Sequence, residues 1–107
     1  MRYTTYTPIY DGDIYMREKY IEQLLIKEVK RRGGLCEKWN SGTSGWPDRI
    51  IFFSDGKIGF VEVKAPGKVP RALQAHRREQ LRKLGFRVYI LDATDQIGGI
   101  IDDIQTT

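Results

Sequence analysis

The chain has 107 residues, of which 40% are hydrophobic and 30% charged, with a formal charge of +4; these proportions suit one folded domain with its own core and exclude a disordered or collagen-like segment. Its single cysteine and single histidine, Cys36 and His76, exclude an intramolecular disulfide and a cysteine- or histidine-rich zinc site, so any metal must be held by oxygen. No apolar run is long enough to span a membrane, and the opening MRYTTYTPIYDGD lacks an apolar signal-peptide core, which points to a reducing, cytoplasmic compartment and to no membrane partner.

Residues 1–13 combine Thr, Tyr, Pro, Gly and Asp without helical period and read as an irregular arm, leaving 14–107 as a single domain. From Ile14 to Arg32, Tyr20, Ile21, Leu24, Leu25 and Val29 recur at helical spacing, and Gly33-Gly34 supply the stop. Residues 35–39 suit a short strand, and NSGTSG is a loop of small polar residues. DRIIFF and KIGFVEVK are β-rich runs joined by Ser54-Asp55-Gly56, a hairpin signal. After APGKVP, residues 70–84 form a second helix with Leu73, Leu81 and Leu84 inward, ended by Gly85, and FRVYIL over 86–91 is a buried strand. The tail GGIIDDIQ suits either a short helix or a strand. The order α, β, β, β, α, β makes an α/β fold with a mixed sheet flanked by helices, the second helix linking parallel strands.

Charge is unevenly distributed. Residues 1–63 carry ten Lys/Arg against nine Asp/Glu, 64–87 carry eight against one, and 88–107 carry none against four. Such a basic block is what a polyphosphate partner requires, although a solvated helix face has the same composition.

Asp48, Glu62 and Lys64 stand at the ends of the apolar hairpin strands, where burying a charge is costly unless it is paired or holds a metal. With a three-residue loop, Ile50 faces Phe60 and Asp48 faces Glu62, with β-carbons about 5 Å apart on one face; a two-residue turn would shift the pairing by one. Lys64, two residues beyond Glu62, shares that face. Two carboxylates this close repel unless a cation lies between them, and oxygen ligands in this number suit Mg²⁺ or Mn²⁺. Separately, the same residues would make an ordinary turn and a surface ion pair.

Pro47-Asp48 with Glu62-Val63-Lys64 resembles the PD-(D/E)XK nuclease motif. The glutamate-bearing helix running into Gly-Gly, GTSGWPDRI, GFVEVKAPGK, an early glutamine in the next helix and LGFRVYIL together resemble the VRR-type (virus-type replication-repair) nuclease domain, with archaeal Holliday-junction resolvases as similar relatives. The resemblance spans roughly Met16 to Asp92. It implies a restriction-endonuclease-like core, with Asp48, Glu62 and the Val63 carbonyl as metal ligands and Lys64 as catalytic lysine. It also implies an acid from the first helix, best matched by Glu22, with Glu18 one turn earlier as the alternative, and it assigns Gln74 to orienting the lysine or substrate.

Beside that site, Lys68, Arg71, Arg77, Arg78 and Arg82, followed by Lys83 and Arg87, would contact phosphates without reading sequence. His76 reads as a surface or phosphate contact, and Trp39 and Trp46 as packing residues. The implied function is an Mg²⁺- or Mn²⁺-dependent, structure-selective endodeoxyribonuclease of phage replication, recombination or repair, acting as a homodimer on branched or duplex DNA. The alternatives are a non-catalytic nucleic-acid-binding module and a nuclease subunit of a helicase or polymerase assembly.

Overall fold

The computed structural model describes residues 11–68 and 71–107. Its elements are α1 (Asp11–Arg31), β1 (Leu35–Lys38), β2 (Arg49–Phe53), β3 (Lys57–Val63), α2 (Ala72–Lys83), β4 (Arg87–Leu91), a 3-10 turn (Thr94–Gln96) and α3 (Ile97–Gln105). The four strands form one sheet in the order β1-β2-β3-β4, antiparallel except for the parallel pair β3 and β4. This is the mixed sheet with flanking helices that the sequence indicated.

Three boundaries differ from the sequence reading. The helix α1 already includes Asp11–Asp13; apolar period could not find this turn because Asp11, Gly12 and Asp13 offer no apolar residue to count. Most of the arm, residues 1–10, lies outside the described residues. The helix α2 is shorter than 70–84, ending at Lys83 with Leu84 as its exposed C-cap, so Leu84 is not a core residue; Leu73 is exposed as well. The tail, left between helix and strand, is helix α3, whose Ile97, Ile100, Ile101 and Ile104 are buried along one stripe.

Both long helices stop by the same device. Gly33 and Gly85 adopt φ of +86° and +95°, a left-handed conformation that glycine enters without a Cβ penalty. At α1, Gly33 N–H donates to Lys30 O and Gly34 N–H to Val29 O; at α2, Gly85 N–H donates to Arg82 O and Phe86 N–H to Leu81 O. These are Schellman pairs that satisfy carbonyls the helix end would otherwise orphan.

Strand alternation sorts the apolar residues into two cores. On one face Ile51, Phe53, Val61, Val63 and Leu91 pack with Ile21, Leu25 and Val29 of α1 and the isoleucines of α3. On the other, Phe60 and Val88 pack with Leu81 of α2, bordered by Trp39, Trp46, Ile50 and Ile58. The acidic C-terminus serves to clasp α3: Arg32 pairs with Glu28 and Asp102, while Arg87 and the Tyr89 hydroxyl both donate to Asp103. Burial and the Asp103 contact push the Tyr89 phenol up to about 12.

The seat of α3 depends on Gly59, where a Cβ would lie 2.6 Å from Cγ1 of the fully buried Ile104 and closer still to its Cδ1. Overpacking of this kind costs about 1–3 kcal/mol. Gly59→Ala is therefore expected to lower the unfolding free energy by that amount, read as a lower urea midpoint at unchanged m-value, and an unaltered midpoint would show that α3 is not seated by this contact.

Candidate active site

The site forms at the start of β2, where β3 continues beyond it. Ile50 pairs with Phe60, the register expected of a three-residue loop, and it directs Asp48 and Glu62 to the face covered by α2. Lys64 N–H donates to Leu91 O at 2.8 Å and so faces β4. The flanking amides of Val63 and Ala65 must point the other way, past the start of β2, where no strand carbonyl remains to meet them. Carboxylates take that place: Val63 N–H donates to Asp48 Oδ2 at 2.8 Å and Ala65 N–H to Glu18 Oε2 at 3.0 Å. The main chain of Asp48 is held in turn, its carbonyl accepting from Trp39 N–H at 3.0 Å.

Glu62 is 0% exposed. Neither of its carboxylate oxygens has a hydrogen-bond partner, and the nearest cation, Lys64 Nζ, is 3.5 Å from Oε2. Burial pushes its pKa up; Lys64 and Arg78 pull it down and Asp48 pushes it further up. Asp48, although the residue is exposed at the open side of the site, is also raised, first by desolvation, then by Glu22 and Glu18, against the lowering effects of the Val63 N–H and Lys64. Folding thus holds two neighbouring carboxyls in an environment that disfavours their charge, an arrangement that suits a bound cation.

Unpartnered, buried Glu62 oxygens fit a divalent ion of the Mg²⁺ or Mn²⁺ type, with Asp48 and the Val63 carbonyl as neighbouring donors. Among the described residues no three His, Cys, Asp or Glu side chains converge at metal-ligand spacing. An open pair of carboxylates still suits Mg²⁺, which keeps several waters and takes further ligands from phosphate.

The two helix acids have different partners. Glu22 Oε2 accepts from Arg49 Nε at 2.7 Å, and Arg49 also donates to Cys36 O. Glu18 Oε2 is held by the Ala65 N–H beside Lys64, and among the described residues no donor meets its Oε1. Gln74 is buried, and its Oε1 accepts from Arg71 N–H at 2.9 Å, fixing the start of α2.

The basic residues divide. Lys68 and Arg71 are exposed at the N-terminal end of α2, where the helix dipole adds positive potential. Arg77 lies 4.5 Å from the Trp46 ring centroid and donates to Ser44 O and Gln80, so it pins the small-residue loop to α2. Arg82 donates to Val88 O at 2.8 Å, and Arg78 is half-buried. His76 is exposed. Trp39 stacks at a tilt on Trp46 and on Phe60, with centroids 5.1 and 5.3 Å apart, which makes both tryptophans part of the packing.

No family model matches the sequence. Over 81 residues it is 43% identical to "Putative nuclease p44" of Acyrthosiphon pisum secondary endosymbiont phage 1, a match covering 75% of this chain and 87% of that one. In fold it is similar to a solved "VRR_NUC domain" with a TM-score of 0.74 at 28% identity, covering 80% of this chain and 95% of the other. The chain belongs to the VRR-type nuclease family.

Within this VRR-type domain, sequence reasoning overlooked Arg49, whose charge inside the apolar run DRIIFF was the available signal. It also counted Arg78 only as one more surface cation. Nothing in the sequence marks the Ala65 amide, because its importance comes from where β2 begins.

Proposed function

We propose that this chain is a metal-dependent, structure-selective DNA endonuclease that hydrolyses phosphodiester bonds without a covalent enzyme intermediate. The observation that carries this is Glu62, whose two oxygens are buried beside Asp48 without a hydrogen bond, one of them in a long ion pair, 3.5 Å, with Lys64. A structural ion pair would have no reason to leave a carboxylate so poorly satisfied.

Asp48, Glu62 and the Val63 carbonyl would hold Mg²⁺ or Mn²⁺, with Glu18 as the helix acid and Glu22 as the charge partner of Arg49. When bound, such an ion supplies positive charge to the phosphoryl group and lowers the pKa of water. Lys64, steadied by Glu62, offers its ammonium to the developing negative charge on phosphorus. Gln74 orders the first turn of α2, and Lys68 and Arg71 extend the positive surface along which a DNA backbone would lie, with Arg77 and Arg82 further along the helix. One site per protomer suits a twofold dimer for cutting both strands of a branched or duplex substrate, and a helicase or replication protein would be a natural partner.

The test uses labelled four-way junction, flap, nicked and linear duplex DNA with Mg²⁺, Mn²⁺ or EDTA, beside Asp48→Ala. Cleavage is expected only with the metal and the intact aspartate, and fastest on a branched substrate. Activity surviving EDTA or the substitution would sink the mechanism, and tight binding without cleavage would mark a non-catalytic module.

A further inference from the structure

Along the inner stripe of α2, Gln74, Arg78 and Leu81 follow one another at helical spacing. Gln74 and Leu81 are buried, so the residue between them is directed at the sheet, where packing alone would favour an aliphatic side chain. Instead the position holds arginine, and two of its guanidinium nitrogens, Nε and Nη1, are sealed from solvent with no hydrogen-bond partner. Glu62 is in the same condition on β3, both oxygens buried and without a hydrogen-bond partner. These four atoms are the whole set of buried, unpartnered side-chain nitrogens and oxygens among the described residues.

The two side chains come from facing elements. Glu62 shares the face of Phe60, which packs against Leu81 of α2, one turn beyond Arg78. No hydrogen bond joins them, and the Arg78 charge lies near enough to favour the ionised Glu62 carboxylate. A buried cation near a buried anion offsets part of the anion's desolvation. Lys64 does this from the same strand at 3.5 Å, whereas Arg78 does it from the opposite helix on a backbone that cannot follow the carboxylate.

We propose that Arg78 is a fixed counter-cation for Glu62, a positioning residue that sets how tightly the site takes up a divalent ion. In the metal-free protein it offsets the buried carboxylate. Once an ion binds at Glu62 the same positive charge opposes it, so the site fills only at a higher metal concentration than Asp48 and Glu62 would otherwise need. The inference rests on Glu62 being a metal ligand.

Calorimetric titration of the full chain with Mn²⁺ at pH 8, without DNA, tests it. Arg78→Met is expected to bind Mn²⁺ about tenfold more tightly than the parent, as removal of one nearby unit charge implies, while Arg78→Lys, which keeps the charge, stays within about threefold of the parent. Should Arg78→Met fail to fold by circular dichroism, Arg78→Gln carries the same expectation. An unchanged or weaker affinity in the uncharged variant overturns the proposal while leaving Glu62 as a ligand. Unchanged Mn²⁺ affinity, with weakened binding of duplex DNA in a separate titration in EDTA, likewise overturns it and assigns the guanidinium to phosphate. If the parent binds no Mn²⁺, or Glu62→Gln binds it equally well, the metal reading falls and this inference with it.

Discussion

Glu62→Gln is expected to be more stable than the parent chain in EDTA and nearly inert on DNA in Mg²⁺. The amide keeps the shape of the carboxylate and removes a charge that is 0% exposed and has no hydrogen bond. Two cations favour the charged form, yet the Glu62 pKa is raised, so desolvation outweighs them and neutralisation helps folding. The gain should be about 1–2 kcal/mol, or about 4–8 °C in Tm for each kcal/mol. Cleavage should fall by about 10²–10³-fold or more, the consequence of losing several kcal/mol of charge stabilisation at the phosphoryl group. Millimolar Mg²⁺ or Mn²⁺ should then raise the Tm of the parent and leave that of the variant in place, since only the parent binds the ion. A variant less stable than the parent in EDTA would show that Glu62 is a structural ion pair.

The same burial sets a pH dependence. In the unfolded chain Asp48 and Glu62 ionise near 3.8 and 4.5, and folding raises both. Their stabilising contribution is therefore complete below the unfolded values and is lost as pH rises through the folded ones. Glu28 acts in the opposite sense, its carboxylate held down to about 2 by Arg31 and Arg32, so its contribution is present above 4.5 and fades only below. In EDTA the parent should lose stability as pH rises from about 4.5, with a shallower slope in Glu62→Gln, and thermal melts across pH would show it.

Glu18→Gln and Glu22→Gln should separate into an activity effect and a stability effect. The Glu18 amide oxygen can still accept the Ala65 N–H, so the fold should survive while cleavage drops by about 10²-fold through loss of charge beside Asp48 and Lys64. Glu22→Gln weakens a half-buried pair with Arg49, whose partners have 14% and 23% exposed side chains, and should cost about 1 kcal/mol of stability. Its effect on turnover should stay within about tenfold. Single-turnover cleavage and urea unfolding of both variants measure this, and the reverse order of activities would make Glu22 the working acid.

Local pattern alone was enough for much of the fold. Helical period located α1 and α2, the Ser54-Asp55-Gly56 loop made the pairing of Ile50 with Phe60 one of two registers, the one the structure holds, and the motif of Pro47, Asp48, Glu62 and Lys64 with the sequence around it carried the family resemblance. These features are legible because each depends on spacing within one element or across one short turn. What remained open needed distant partners. The tail is helix α3, with Ile97, Ile100, Ile101 and Ile104 at helical spacing, and where it sits depends on the room that Gly59 leaves for Ile104 against the sheet, a contact between residues far apart in sequence.

The sequence by itself narrowed the strand register to two alternatives, and the three-residue loop that puts Asp48, Glu62 and Lys64 together is the one the structure holds. Only the tertiary structure decided which helix acid reaches the end of β3 and which helix cation acts on Glu62. Glu18 meets the Ala65 amide because β2 begins only at Arg49 and leaves that amide without a strand partner, and Arg78 comes near enough to influence Glu62 because α2 packs Leu81 into the cluster of Phe60. Both are consequences of how α1 and α2 dock on opposite faces of the sheet, and docking is set by the summed packing of two cores, which no single stretch of chain encodes.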